Sequence, residues 1–226
     1  MGVSIAAARA PEQQSSPAAV RPAFWHLISL AERACALLLG LALLPMLVVA
    51  AAVVAALSGD SPFVAVARAG QRGKRIWLLK LRTMWSQDAG ERRSARLIQR
   101  IENAPVPETK TGCDPRVTSA FAAFFRRYSI DELPQLWHVV RGEMSLVGPR
   151  PLTYDELETY YGYDAGEVLS VKPGLTGLWQ VRGRNSLTYQ QRLHLDLHLV
   201  RNWSLPLYVS VVAATIPAVF SGRNAG

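Results

Sequence analysis

Cysteine, histidine and charge are all scarce in this chain of 226 residues. It has two cysteines and four histidines. Cys35 and Cys113 lie far apart, one of them inside an apolar run, so there is no disulfide framework and no zinc-ligand spacing. Charged residues make up 19% of the chain against 50% hydrophobic, a balance that excludes a disordered or collagen-like polypeptide. The motifs G-x-S-x-G, H-E-x-x-H and G-x-x-x-x-G-K-[ST] are absent, which removes support for a serine hydrolase, a zincin or a P-loop enzyme. No internal repeat is visible.

The charge that is present is one-sided. Twenty-five Lys and Arg face 17 Asp and Glu, a formal net charge of +8. A chain both basic and apolar points to a membrane surface or to a phosphate-bearing partner. The two properties are segregated. Only Arg9, Arg21, Arg33, Glu12 and Glu32 precede Ser58, so 22 basic and 15 acidic residues, net +7, follow it.

The stretch Ala34 to Leu57 has no charge over 24 residues, more than the roughly 20 a helix needs to cross a bilayer core. It begins too late and runs too long for the h-region of a signal peptide. Pro45 falls near its middle, where it removes a backbone donor and kinks or breaks a helix. Arg9, Arg21 and Arg33 on one side and Arg68, Arg72, Lys74 and Arg75 on the other make both flanks look cytoplasmic. A hairpin turning at Pro45 satisfies both flanks; a plain span with a tolerated proline is the alternative. Residues 1–20, rich in Ala, Ser, Gln and Pro, read as a flexible tail.

In the remainder, Arg72 to Met84 reads as a strand. Arg92 to Glu102 reads as a basic amphipathic helix with Leu97, Ile98 and Ile101 on one face. Ala120 to Tyr128 places Phe121, Phe124, Phe125 and Tyr128 at helical spacing, as core or at a lipid interface. Trp203 to Phe220 is uncharged but diluted by Pro206 and Pro217, as in a helix lying on a membrane. Leu193 to Leu199 is ambiguous. As a strand, His194, Asp196 and His198 would share a face like a transition-metal site; as a helix, Asp196 would point away from the histidines.

The densest signal runs from Thr111 to Pro151. Asp131 and Glu132 are adjacent carboxylates just before Pro134, a favoured first residue of a helix. A helix N-terminus there would favour negative charge, from a carboxylate or a bound phosphate. An ionised Asp beside a phosphate site can act as a nucleophile. The structural alternative is an S-x-x-E capping box from Ser129 to Glu132. Lys80, Arg82, Arg116 and Arg150 are phosphate-capable groups nearby in the sequence motifs, and paired carboxylates with substrate phosphates suit magnesium.

With these residues in view, the chain resembles the bacterial sugar transferases, the monotopic polyprenyl-phosphate phosphoglycosyl transferases, in their short exopolysaccharide-initiating form. The resemblance covers about Arg21 to Gly226. It rests on KLRTM (Lys80 to Met84), DPRVT (Asp114 to Thr118), SIDELPQLW (Ser129 to Trp137), RGEMSLVGPRPL (Arg141 to Leu152), KPGLTGLWQVRGRN (Lys172 to Asn185) and LDLHLVRNWSL (Leu195 to Leu205). It implies transfer of a hexose 1-phosphate, galactose or glucose, from a UDP-sugar to undecaprenyl phosphate with release of UMP. On it, Asp131 would be the nucleophile and Glu132 a magnesium ligand, with Asp196 a second acidic position at the metal. Arg150 would bind phosphate, with Lys80, Arg82, Arg116, Lys172 and Arg184 as further phosphate-binding candidates. Two positions depart from the family pattern: Leu44, where relatives carry Ser before the proline, and His138, where Asn is commoner.

The expected architecture is a helix-dominated mixed α/β fold: a re-entrant membrane helix within 21–57 and a small cytoplasmic globular domain, 58–226, with interfacial amphipathic helices. The expected setting is the cytoplasmic face of the bacterial inner membrane, with Mg2+ as cofactor. No nucleic acid is expected as a partner. A membrane-tethered nucleic-acid binder lacks any recognition motif, and its arginines sit beside acids instead of forming a stripe. A non-catalytic partner in a polysaccharide assembly complex is the other competing reading, and the intact Asp131–Glu132 pair argues against it.

Overall fold

The computed structural model of the chain describes residues 24–84, 97–102, 119–183 and 187–221. It opens with one long helix, α1 (Phe24–Ser58), which continues through Pro45. The sequence predicts a break there; the ring removes one hydrogen bond, to the Leu41 carbonyl, and the helix absorbs the loss without reversing. Every three or four residues, at Glu32, Ala36, Gly40, Leu43, Leu47, Ala50 and Val54, α1 turns a buried or half-buried position towards the rest of the protein. The opposite face is apolar and exposed, with Leu38, Leu41, Val48 and Val49 each more than half accessible.

The body is built on a small twisted sheet. β1 (Phe63–Ala69) and β2 (Arg75–Leu81) form an antiparallel hairpin that pairs Val64 with Lys80 and Arg68 with Ile76. Its turn needs left-handed backbone at Arg72 and Gly73 (φ 57° and 72°). β3 (Ile98–Ile101) adds parallel to the other edge of β1. The helix predicted over Arg92 to Glu102 is therefore a strand in its described part. Pairing the open amides of β1 outweighs a helical pattern of barely three turns, and Arg100 lies over the Trp77 ring at 5.2 Å.

The sheet is covered by α1 and by α2 (Ala120–Arg127), capped by Ser119 through the Ala122 amide. A 3₁₀ turn, Ile130–Gln135, leads directly into α3 (Leu136–Val140). Ala36, Ile76, Leu78, Leu136, Val139 and Met144 form one core; Ala50, Val54, Leu81 and Phe125 form another. Val54 and Leu81 are 0% and 1% exposed, and each such side chain contributes about 2 kcal/mol. Both halves of α1 are thus fastened to the same body.

A second layer follows: β4 (Ser145–Val147), α4 (Tyr154–Glu156) running into a π turn, α5 (Ala165–Val168), β5 (Gly174–Thr176) and α6 (Leu178–Arg182). β4 and β5 pair in parallel. Gly148 and Gly174 meet there backbone to backbone, so closely that a Cβ on Gly174 would overlap the Gly148 amide. Two helices close the chain, α7 (Tyr189–Arg201), with a Thr188–Gln191 capping box, and α8 (Leu205–Ser221). Leu193 to Leu199 is helical. Asp196 faces the interior while His194 and His198 are exposed, so the zinc alternative falls away. α8 buries Val211 against β4 and leaves Val209, Ile216 and Phe220 more than half exposed.

Candidate active site

The turn that carries Asp131 starts at Ser129, whose backbone is left-handed (φ 55°). Its hydroxyl makes no capping bond, so the capping-box reading of Ser129 and Glu132 is not realised. The helical winding begins at Ile130, four residues ahead of the predicted start, and Pro134 is accommodated within the 3₁₀ turn. Asp131 is left 8% exposed, and Glu132 emerges beside it with a third of its side chain accessible (32%).

β2 presents Lys80 to this turn, and its ammonium donates to Glu132 Oε1 at 2.8 Å. Burial first, and then the neighbouring Glu132 carboxylate, push the Asp131 carboxyl up to about 6; Lys80 and Arg126 pull it back down. Arg126, at the end of α2, is a member of the site that the motifs did not single out. His138 braces the arrangement from α3. Its Nε2 accepts the Leu79 amide at 3.1 Å, and its Nδ1 lies 2.6 Å from Glu143 Oε2. That geometry assigns the proton to Nδ1 and ties β2 to α3 one residue before Lys80.

Glu132, still accessible, together with Asp131 fits the donor set magnesium prefers, one or two carboxylates completed by substrate phosphates. Asp196 does not fit it. That carboxylate is 0% exposed and accepts the Tyr161 hydroxyl at 3.0 Å, in contact with different residues from Glu132. Burial pushes it up to about 7, although the Tyr161 bond and the Arg150 backbone draw it down. Among the described residues no group of three acids, histidines or cysteines gathers to hold a metal. Asp196, predicted as a metal ligand, is thus not brought together with further metal-capable groups among the described residues, and its Oδ1 is buried without a hydrogen-bond partner.

The predicted phosphate ligands separate. Arg150, on the loop after β4, lies over the Trp179 ring at 4.9 Å. Arg192 lies 5.2 Å from the same ring, and Arg68 reaches Glu156 at 3.6 Å nearby. No motif marks Arg68 or Arg192; only the fold gathers them. Arg82 is turned to structure, donating to the Ser61 carbonyl at 2.7 Å and to Gln99, with Asp60 at 3.4 Å. Lys172 lies 3.5 Å from Ser29 in a cavity of about 140 Å³ between the start of α1, Ser145, Val147 and Trp203. Arg116 and Arg184 lie outside the described residues.

Residues 25–222 match the family model of the bacterial sugar transferases. The chain belongs to that family. It is 41% identical over 193 residues to the exopolysaccharide production protein ExoY of Sinorhizobium fredii, covering 84% of this chain and 83% of that one. It is 36% identical over 191 residues to the UDP-glucose:undecaprenyl-phosphate glucose-1-phosphate transferase of Caulobacter vibrioides (80% and 65%). Over 160 residues it is 41% identical to the undecaprenyl-phosphate galactose phosphotransferase of Salmonella typhimurium (67% and 32%). The chain thus spans about a third of the Salmonella relative and most of the Sinorhizobium one.

Proposed function

We propose that this chain moves a hexose 1-phosphate, galactose or glucose, from a UDP-sugar to undecaprenyl phosphate at the cytoplasmic face of the inner membrane. The observation that carries the reading is the buried Asp131 beside the Lys80-bridged Glu132. A carboxylate whose charge is costly is a better nucleophile than a solvated one, and Lys80 takes up part of the repulsion of its neighbour.

In the first half-reaction, an Asp131 oxygen attacks the phosphorus that bears the sugar. The bridging P–O bond breaks, and UMP leaves with its electron pair. In the second, a phosphate oxygen of undecaprenyl phosphate attacks the same phosphorus, and the Asp131 carboxylate departs from the acyl phosphate. One phosphoanhydride replaces another, so alignment and charge neutralisation are the main tasks. Glu132 would hold magnesium, which when bound neutralises the diphosphate. Lys80 fixes Glu132, and Arg126 offsets charge at Asp131.

The membrane part of the proposal is a helix that enters one leaflet without crossing. It is supported by the spacing of buried positions on α1. Between buried Ala36 and buried Ala50 lie about 20 Å of helix, less than the roughly 30 Å of a hydrocarbon core. A spanning orientation would carry part of the charged body into lipid. Release of UMP from UDP-galactose or UDP-glucose, dependent on undecaprenyl phosphate for turnover and lost in Asp131→Asn, tests the reaction; wild-type UMP release by that variant contradicts it.

A further inference from the structure

Away from Asp131, three arginines from separate elements converge: Arg68 from β1, Arg150 from the loop after β4 and Arg192 from α7. Trp179 is the floor under two of them, with the Arg150 and Arg192 guanidinium carbons 4.9 and 5.2 Å from its ring centre, and Arg68 joins them through Glu156, which also accepts the Tyr189 hydroxyl at 3.4 Å. Arg192 also lies 5.0 Å from the Tyr189 ring, which stacks on Tyr160 at 3.8 Å. Arg68 keeps 13% of its side chain exposed. Its buried Nη1 and the buried Nε of Arg150 make no hydrogen bond.

Among the described residues, two acids, Glu156 and Asp196, interact with these three arginines. Glu156 forms an ion pair with Arg68 at 3.6 Å, and its carboxylate is shared with the Thr153 amide at 2.8 Å and the Thr153 hydroxyl at 3.3 Å. Asp196 is sealed behind Tyr161. The cations strain against each other: burial, and next the charge of Arg150, lower Arg68 to about 10 and move Arg192 in the same direction. Gathering like charges in a half-buried place costs stability unless an anion joins them. Guanidinium forks held flat by aromatic rings are preorganised for phosphate oxygens.

We infer that Arg68, Arg150 and Arg192 form a phosphate-oxyanion site, with Trp179 beneath Arg150 and Arg192, to which Arg68 and Arg192 are new contributors. The strand register puts Arg68 and Lys80 on one face of the β1–β2 hairpin, four ladder positions apart, about 13 Å along the strand. The site therefore belongs to the same sheet face as the carboxylate pair but is separate from it. It rests on the proposed transfer only for what supplies the phosphate, a nucleotide or a lipid phosphate.

The test uses the full chain in nanodiscs, titrated calorimetrically with inorganic pyrophosphate, UDP and farnesyl phosphate. Arg68→Lys and Arg192→Gln, confirmed folded by circular dichroism, are expected to weaken pyrophosphate binding tenfold or more. Arg201→Gln, on the same helix as Arg192 but paired with Glu167, is expected to leave it unchanged. A matching loss for UDP alone assigns the site to the nucleotide, and for farnesyl phosphate alone to the lipid acceptor. Folded arginine variants that bind all three ligands like wild type overturn the site. Should the variants not fold, the emission difference between wild type and Trp179→Phe decides it: pyrophosphate must change it, and no change overturns the site. A wild type that binds pyrophosphate here yet releases no UMP from a UDP-sugar contradicts the proposed function and leaves this site standing.

Discussion

The Lys80 ammonium sits 2.8 Å from Glu132, while Asp131, one residue earlier, stays beside them with 8% of its surface exposed. The lysine answers one of two adjacent carboxylates, and the other bears the cost of burial. In the proposed reaction, that division of labour separates a group that positions charge from a group that reacts.

Removing the lysine shifts the acid side of the pH profile. Lys80 lowers the Asp131 carboxyl against burial and Glu132. In Lys80→Met the pH at which activity is half lost on acidification is expected to rise by on the order of one unit, with kcat recovering partly at higher pH. UMP release measured from pH 5 to 9 checks this; an unchanged profile at lower kcat would contradict it.

Asp131 also destabilises the fold it serves. Its carboxyl is raised to about 6 from 3.8, so between those values the native state binds more protons than the unfolded one. Stability therefore falls as pH rises through that window, and above it the full cost is present. Asp131→Asn is expected to raise Tm at pH 7.5, reflecting a stability gain of up to roughly 3 kcal/mol, with the gain vanishing near pH 4. Thermal unfolding at the two pH values measures it.

Much of the site was readable in the chain. Asp131, Glu132 and Lys80 lie in contiguous motifs, and their association follows from a β2 that places Lys80 on the face covered by the Asp131 turn. At Leu193 to Leu199 alternation and helical spacing coexist, so periodicity alone left the segment open; the family resemblance favours the helix, and the inward packing of Leu197 and Asp196 on α7 agrees with it. Ile98 to Ile101 failed for a related reason, since an edge strand is chosen by the neighbour it pairs with. Arg68, Arg126 and Arg192 sit in no motif, and only the tertiary contacts bring them to charged or aromatic partners.

The glycines in VGPRP and KPGLTG carry the Arg150 loop. A methyl group on Gly174 would collide with the Gly148 backbone, and neither chain can retreat without breaking the β4–β5 pairing. Gly174→Ala is expected to cost about 3 kcal/mol and to lower pyrophosphate affinity together with Tm, whereas Gly166→Ala, where a Cβ meets nothing within 4 Å, is expected to change neither.

Ala36 tests the seating of α1. It is 1% exposed against Ile76, Leu78 and Val139, so Ala36→Leu overpacks the contact by about 1–3 kcal/mol. Membrane association should persist, because the exposed apolar face is untouched, while activity and Tm fall. Flotation on liposomes, with activity measured in parallel, distinguishes this from loss of insertion.

The most direct measurement is a single half-reaction. The full chain is incubated with magnesium and UDP-galactose or UDP-glucose, without undecaprenyl phosphate, then quenched and analysed by intact-mass and peptide mass spectrometry alongside UMP quantification. A nucleophilic Asp131 gives one equivalent of UMP and one hexose phosphate on the peptide containing Asp131, both absent in Asp131→Asn. No UMP and no adduct with either donor until undecaprenyl phosphate is added, with full turnover thereafter, would contradict covalent transfer through Asp131.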